Sequence, residues 1–266
     1  MLEIKNAVCG YKQREKTNVV INGLSMDIKP GEIMSILGSN GVGKTTLFRS
    51  ILGSLPLISG SVLLDGREMS SMKRSETARR IAYVPQSHNP PFPFTALQIA
   101  VMGRTAHMGM FSSPSPKDTE KAYEALCTMG AEYLAEKPYT EISGGERQLV
   151  LIARAVAQEA DYLIMDEPAS NLDYGNQIRA LERIKQLAAE GRGIMFTTHN
   201  PDHVFMSASK VTVIGGRDEF MSGAVDDILT APVMNKIYGI NTQILESEWP
   251  DGRKIKTTAA YMASDY

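Results

Sequence analysis

Residues 38–45 read GSNGVGKT and follow the uninterrupted apolar run IMSIL at 33–37. The pattern G-x-x-x-x-G-K-[ST], set between a buried strand and a helix, restricts the chain to folds that hold phosphate at the carboxyl end of a strand. The backbone must wrap an anion and aim several N–H groups inward, which calls for glycine. The helix that follows turns its positive end toward the same anion. Lys44 adds a point charge for the terminal phosphates, and the Thr45 hydroxyl is a ligand for Mg²⁺. A glycine-rich turn that happens to carry a lysine is the plain alternative, and the flanking strand and helix argue against it.

The rest of the chain supplies a matching frame. IAYV (81–84), YLIM (162–165), GIMFTT (193–198) and KVTVI (210–214) are short and apolar with little alternation, as parallel strands buried on both faces are. Helical segments are expected at 44–53, 117–129, 145–157 and 176–189. The third of these is strongly helical, and the last places Ile178, Leu181, Ile184 and Leu187 at helical spacing. Strand–helix alternation of this kind argues α/β. Ahead of it, Leu2, Ile4, Leu24, Met26 and Ile28 alternate with polar residues, which predicts an N-terminal antiparallel β region. Residues 87–116 break the rhythm with two proline clusters, SHNPPFPF and SSPSP, around MGRTAHMGM. With the helix after it, this stretch reads as a helical subdomain inserted between core strands. The expected fold is α/β: a P-loop NTPase core with a parallel sheet, an N-terminal antiparallel β region and an inserted helical subdomain. The tail, 223–266, is less periodic and reads as a small appendage or an interaction surface.

Length and composition bound the function. The chain has 266 residues, 43% hydrophobic and 22% charged, an ordinary globular mix that excludes disorder and coiled coil. Lys+Arg is 28 and Asp+Glu 30, so bulk charge does not point to nucleic acid. No window approaches the ~18 apolar residues of a membrane helix; the run Leu149 to Ala157 comes closest and contains Arg154. The start, MLEIKNAV, lacks an apolar signal-peptide core, so none is expected. Cys9 and Cys127 have no metal-type spacing and point to a reducing compartment.

Two further motifs carry chemistry. YLIMDEP (162–168) ends an apolar run in adjacent carboxylates. A solvated strand end is the commoner meaning of such a pair. With a phosphate loop upstream, Asp166 is expected to hold Mg²⁺ through water, and Glu167 to orient or deprotonate an attacking water. ISGGERQ (142–148) opens the helix LVLIARAVAQ. Ser143 and Glu146 match a capping box. The glycines between them, Gly144 and Gly145, cost about 1 kcal/mol each against Ala in a helix interior, and a cap has no need of them. They make sense if the backbone must approach an anion, which gives the chain a second phosphate site.

The order GSNGVGKT, Gln86, ISGGERQ, YLIMDEP, SNLD (170–173), TTHN (197–200) resembles the ATP-binding subunits of ABC transporters over roughly residues 1–240. The resemblance implies an ABC ATPase domain at 1–240, its helical subdomain at about 87–157, and a C-terminal appendage at 241–266. It implies ATP and Mg²⁺ as ligands. The nucleotide set would be Gly38, Ser39, Asn40, Gly41, Val42, Gly43, Lys44, Thr45 and Thr46, with Tyr11 stacked on adenine. Ser143, Gly144, Gly145 and Glu146 would contact the ATP bound on a second copy, in a head-to-tail homodimer, with Asp173 in the loop crossing its interface. Gln86 would touch Mg²⁺ and the attacking water, alongside Thr45 and Asp166 as metal residues. His199 would hold the γ-phosphate and position Glu167, and Lys44, Gln86, Glu167 and His199 would form the catalytic group. An ordinary strand-end aromatic, a surface-loop glutamine and a structural histidine are the plain readings of Tyr11, Gln86 and His199. Glu146 departs from the family's common Gln, and Ala169 from its usual Thr or Ser.

The segments MGRTAHMG, GGERQLVLIARAVAQEA and GAVDDILTAPVMNKIYGI are similar to importer ATPases for iron–siderophore, haem or cobalamin complexes. That resemblance implies two integral membrane permease subunits, a substrate-binding protein acting with the complex, no nucleic acid, and a place on the cytoplasmic face of the cell membrane. In the PPFPF loop (90–94), Phe92 and Phe94 would meet a helix of the membrane subunit, or else cap the core. Two other classes stay open: a soluble ABC ATPase acting as a repair or assembly switch, and a small-molecule phosphotransferase sharing only the phosphate loop.

Overall fold

The computed structural model describes residues 1–13, 16–86, 93–109, 112–170 and 172–261. The chain divides into two units, one of residues 1–71 with 195–266 and the other of residues 72–194.

The first unit opens with β1 (Leu2–Gln13) and β2 (Lys16–Ile28), paired antiparallel with Leu2 opposite Ile28 and Tyr11 opposite Asn18. The alternation read from the sequence is real: Leu2, Ile4, Leu24, Met26 and Ile28 are all buried. Near the tip of this hairpin Lys12 pairs with Thr17 and Gln13 with Lys16. The buried strand β3 (Ile33–Leu37) follows, then α1 (Lys44–Ile51), β4 (Ser59–Leu64) and the short β5 (Arg67–Glu68). Strands order β2-β1-β4-β5 in one antiparallel sheet.

The second unit carries α2 (Arg74–Arg80), β6 (Ile81–Val84), α3 (Ala96–Val101), α4 (Pro116–Thr128), α5 (Gly144–Ala157), β7 (Tyr162–Met165) and α6 (Tyr174–Ala189). β6 and β7 run parallel, with Ile81 opposite Tyr162. Helices α3, α4 and α5 pack on one another through Ile99, Ala122, Leu126 and Leu151. Ser115 caps α4 in a full capping box with Asp118, and Pro116 stands at its first turn. Arg104, only 7% exposed, ties this cluster together by donating to Asp118, Glu159 and the Ala157 carbonyl. In the PPFPF loop, Pro90, Pro91 and Phe92 lie outside the described residues, while Phe94 is half-buried and its carbonyl accepts from Tyr139 N at 2.8 Å.

The Ser115 hydroxyl and N–H, then Arg104, hold the Asp118 carboxyl down at about 2, against an ordinary value of 3.8. A depressed carboxyl stabilises the fold above its unfolded pKa and loses that contribution as pH falls through its folded one. The stability gap between wild type and Asp118→Asn is therefore expected to be full above about pH 4 and to close toward pH 2. Melting temperature measured against pH for both proteins checks it.

Strand β8 (Gly193–Thr198) begins in the second unit and ends in the first. The first unit resumes with α7 (Pro201–Ser207), β9 (Lys210–Gly216), β10 (Glu219–Ala224), α8 (Val225–Ile228), α9 (Ala231–Tyr238), β11 (Asn241–Glu248) and β12 (Lys254–Tyr261). Its second sheet runs β10-β9-β3-β8, with β9 parallel to β3. Leu37, Val204, Val211, Val213, Leu229 and Met234 form the core beneath the C-terminal helices. Within the tail, β11 and β12 form an antiparallel hairpin with Ile244 packed on that core. Among the described residues, no helix is long and apolar enough to cross a membrane. Cys9 is buried and Cys127 exposed, both as free thiols.

Candidate functional site

The phosphate loop springs from the end of β3. Gly41 and Gly43 take φ of 82° and 113°, in the left-handed region that side chains avoid. A Cβ on Gly43 would meet Val20 Cγ1 at 2.4 Å, and one on Gly38 would meet the Ile214 carbonyl oxygen at 2.6 Å. A Cβ on Gly41 would meet nothing within 4 Å, and residues 39–41 are exposed. The loop is therefore clamped at both ends and open at its crown, a cradle shaped for an anion. Gly43 precedes α1, whose first turn carries no acidic residue to compete for its positive pole. Lys44 is 6% exposed, and its ammonium bends over the loop to donate to the Gly38 carbonyl at 2.7 Å and the Ser39 carbonyl at 3.1 Å. The Tyr11 hydroxyl lies 3.2 Å from Thr46 Oγ1, which brings that aromatic to the first turn of α1. The ring is 37% exposed.

In the same unit, β8 delivers His199. Thr197 and Thr198 are buried, and His199 is exposed. Asn200 caps α7 by accepting from Asp202 N at 2.9 Å, and Pro201 starts the helix. The His199 carbonyl accepts a hydrogen bond from the Tyr238 hydroxyl at 2.8 Å. Residues NP at 200–201 are a helix-start signal legible in sequence. Tyr238 lies far along the chain and gives none.

In the second unit, Asp166 is buried at the end of β7 and its N–H donates to the Val84 carbonyl at 2.8 Å. Glu167 has φ of 49°. A non-glycine residue there costs on the order of 1–2 kcal/mol. Pro168 next in line disfavours right-handed helical geometry at Glu167, and Ser170 locks the turn by donating from N and Oγ to the Glu167 carbonyl at 3.2 and 3.0 Å. This backbone reversal is why two successive carboxylates need not point to opposite faces as strand residues do. Gln86 Nε2 donates to Glu167 Oε2 at 3.3 Å, so β6 and β7 bring these two together.

The helix start at 143–146 is a complete capping box. Ser143 N donates to Glu146 Oε2 at 2.8 Å, and Glu146 N donates to Ser143 Oγ at 3.2 Å. These bonds, with one from Tyr133 OH, hold the Glu146 carboxyl below its ordinary value. Arg147 secures the approach by donating to the Ile142 and Thr140 carbonyls. Ser143 and Gly144 are exposed. A Cβ on Gly144 would meet nothing within 4 Å, and its backbone is not left-handed. Neither packing nor conformation within this chain asks for glycine there. Asp173 caps α6, accepting from Asn176 N at 2.8 Å, which lowers its carboxyl; its neighbour Asn171 lies outside the described residues.

Of the residues expected at a cation, Thr45 stands in the first unit and Gln86 and Asp166 in the second, and each carries a hard oxygen of the kind suited to Mg²⁺. Among the described residues no group of three or more His, Cys, Asp or Glu side chains could hold a metal ion.

A family model described as ABC transporter matches residues 21–170. The chain is 38% identical over 92% of both chains to an uncharacterized ABC transporter ATP-binding protein of Haemophilus influenzae. It is 35% identical to a molybdate import ATP-binding protein of that organism, covering 86% of this chain and 84% of the relative. With a hemin import ATP-binding protein of Myxococcus xanthus it shares 31% identity over 85% and 86% of the two chains. Among solved structures, it superposes with a TM-score of 0.85 on a chain of a putative metal-chelate type ABC transporter in an inward-facing conformation, at 29% identity over 99% and 98% of the chains. A dimeric bacterial ABC transporter cassette gives a TM-score of 0.72 at 25% identity, over 83% and 98%.

Proposed function

Because the chain belongs to the ABC transporter family and is an ATP-binding ATPase subunit of its importer group, we propose that it drives import through two separate permease subunits at the cytoplasmic membrane face, with a substrate-binding protein delivering the cargo. The domain limits are those given above, 1–240 for the ATPase and 241–266 for the appendage. The observation that carries the reading is the pair of anion-type sites in one chain: a clamped, open-crowned phosphate loop with Lys44 over it, and a helix start whose Gly144 nothing in its own chain requires.

Each supports one half of a composite ATP site, completed when two copies pair head to tail. Gly38 to Thr46 cradle the phosphates of ATP, and Tyr11 meets the adenine. Ser143, Gly144, Gly145 and Glu146 close on the ATP of the partner copy, with Asp173 at the interface. Thr45, Gln86 and Asp166 would hold Mg²⁺, which when bound neutralises charge on the phosphates. Glu167 takes the proton from the attacking water, and Gln86 holds Glu167 and that water in line. His199 contacts the γ-phosphate. Binding closes the dimer, hydrolysis reopens it, and the permease alternates access.

Gly144→Ala separates this function from folding. Replacing Gly by Ala in a helix stabilises by up to about 1 kcal/mol, and the added methyl meets nothing in this chain. The variant is expected to melt at or above the wild-type temperature and yet to lose most ATP turnover, because the methyl stands where the partner's phosphate must approach. Calorimetry and a phosphate-release assay on one preparation check both halves.

The cargo class proposed is a metal-bearing complex, an iron chelate, haem or cobalamin. The molybdate import relative favours a second reading, an oxyanion cargo. The chain's own residues meet ATP and the permease, so neither choice is written in them. Affinity purification from detergent-solubilised native membranes tests the transport reading. A stoichiometric polytopic subunit supports it, and recovery with soluble proteins only would return the soluble ATP-switch alternative. Uptake by the complex in vesicles, of haem against molybdate, separates the two cargoes.

A further inference from the structure

The loop bearing His199 is held from behind by the C-terminal segment. Tyr238, the last residue of α9, donates its hydroxyl to the His199 carbonyl at 2.8 Å. Burial pushes that phenol up to about 12, so it stays a donor at any working pH. Helix α7 starts two residues past His199, and its Asp202 carboxylate accepts from Thr258 N at 2.8 Å, Thr258 Oγ1 at 2.9 Å and Thr257 Oγ1 at 3.1 Å, all on β12. On the other side, Thr242 of β11 donates from N and Oγ1 to Asn235 of α9 at 2.7 and 2.6 Å. Helix α9, the hairpin and the start of α7 thus form one hydrogen-bonded frame, and Tyr238 reaches from it to the backbone of His199. The histidine itself is exposed at the tip.

We propose that Tyr238 is a positioning residue for ATP hydrolysis, fixing the backbone of His199 so that its imidazole meets the γ-phosphate. The proposal rests on the reading of His199 given above. A backbone carbonyl anchored by a half-buried donor limits the swing of the side chain that hangs from the same residue. The frame behind the donor keeps it from moving with the loop. The anchor acts on geometry after ATP has bound, so its loss belongs in kcat.

The test uses the full-length chain with ATP labelled in the γ-phosphate, under steady-state and single-turnover conditions, in wild type, Tyr238→Phe, His199→Ala and the double variant. Phenylalanine keeps the ring and removes only the donor. One neutral hydrogen bond corresponds to roughly a fivefold change. Tyr238→Phe is therefore expected to lower kcat about fivefold with KM for ATP unchanged and the melting temperature down by no more than about 4 °C, and to have no further effect when His199 is already Ala. An unchanged kcat in Tyr238→Phe, a rise in KM alone, or an equal loss in the His199→Ala background would overturn the proposal while leaving His199 in its role. If His199→Ala itself turns over ATP at the wild-type rate, the reading of His199 fails and the proposal falls with it.

Discussion

Glu167→Gln is expected to bind ATP, to hold it in a closed dimer and not to hydrolyse it. The substitution preserves volume and removes the charge and the base. General-base catalysis is worth about 10²–10⁴-fold, and phosphate release is expected to fall by at least ~10²-fold. The fold is spared. Glutamine occupies the same turn, with the Ser170 N–H and hydroxyl still donating to its carbonyl, and its amide can still meet Gln86. ATP affinity survives because Lys44 and the loop backbone are untouched. With hydrolysis blocked, the ATP-bound pair is expected to stay closed, and size-exclusion chromatography in ATP should show a stable dimer that wild type forms only transiently. Wild-type turnover in this variant would remove Glu167 from its role.

Lys44→Ala fails one step earlier. The lysine is buried among loop atoms with its ammonium on two loop carbonyls, and alanine removes both the tether and the charge facing the phosphates. Hydrogen bonds to charged groups contribute about 1.5–3 kcal/mol each, so ATP affinity is expected to fall on the order of 100-fold. The readout is stabilisation by ligand. At a hundred times its dissociation constant, ATP stabilises a protein by about 2.7 kcal/mol. Wild type and Glu167→Gln should both melt higher in ATP, and Lys44→Ala at the same ATP concentration, now near its own dissociation constant, should gain only about 0.4 kcal/mol. An ATP-dependent upshift in Lys44→Ala equal to wild type would show that the loop holds nucleotide without its lysine.

Much of the frame was legible because its signals are local. The apolar runs at 33–37, 81–84, 162–165 and 193–198 are strands with the limits read from sequence, and the helical spacing of Leu181, Ile184 and Leu187 is a buried stripe. What escaped has weak or distant signals. β11 and β12 read ILESE and KIKTT in part, charged and half-exposed, with a pairing register only the fold reveals. α2, RSETARR, buries none of its residues and so shows no apolar stripe. At the candidate site, the loop glycines announced themselves by spacing. The Gln86–Glu167 contact joins residues from two strands, and the Tyr238–His199 bond joins positions 39 apart. Pro168 told only what conformation Glu167 avoids.

The left-handed backbone at Glu167 gives position 167 a diagnostic use across paralogues. Drift under folding pressure alone runs from glutamate toward asparagine or glycine, which sit in that region with least strain. On the role proposed for Glu167, water activation is what keeps a glutamate at this turn, as the bond to Arg104 keeps one at Glu159, where φ is 52°. A paralogue that keeps the loop lysine but carries asparagine or glycine at this turn is expected to be a sturdier protein that grips ATP without consuming it, a clamp descended from a motor.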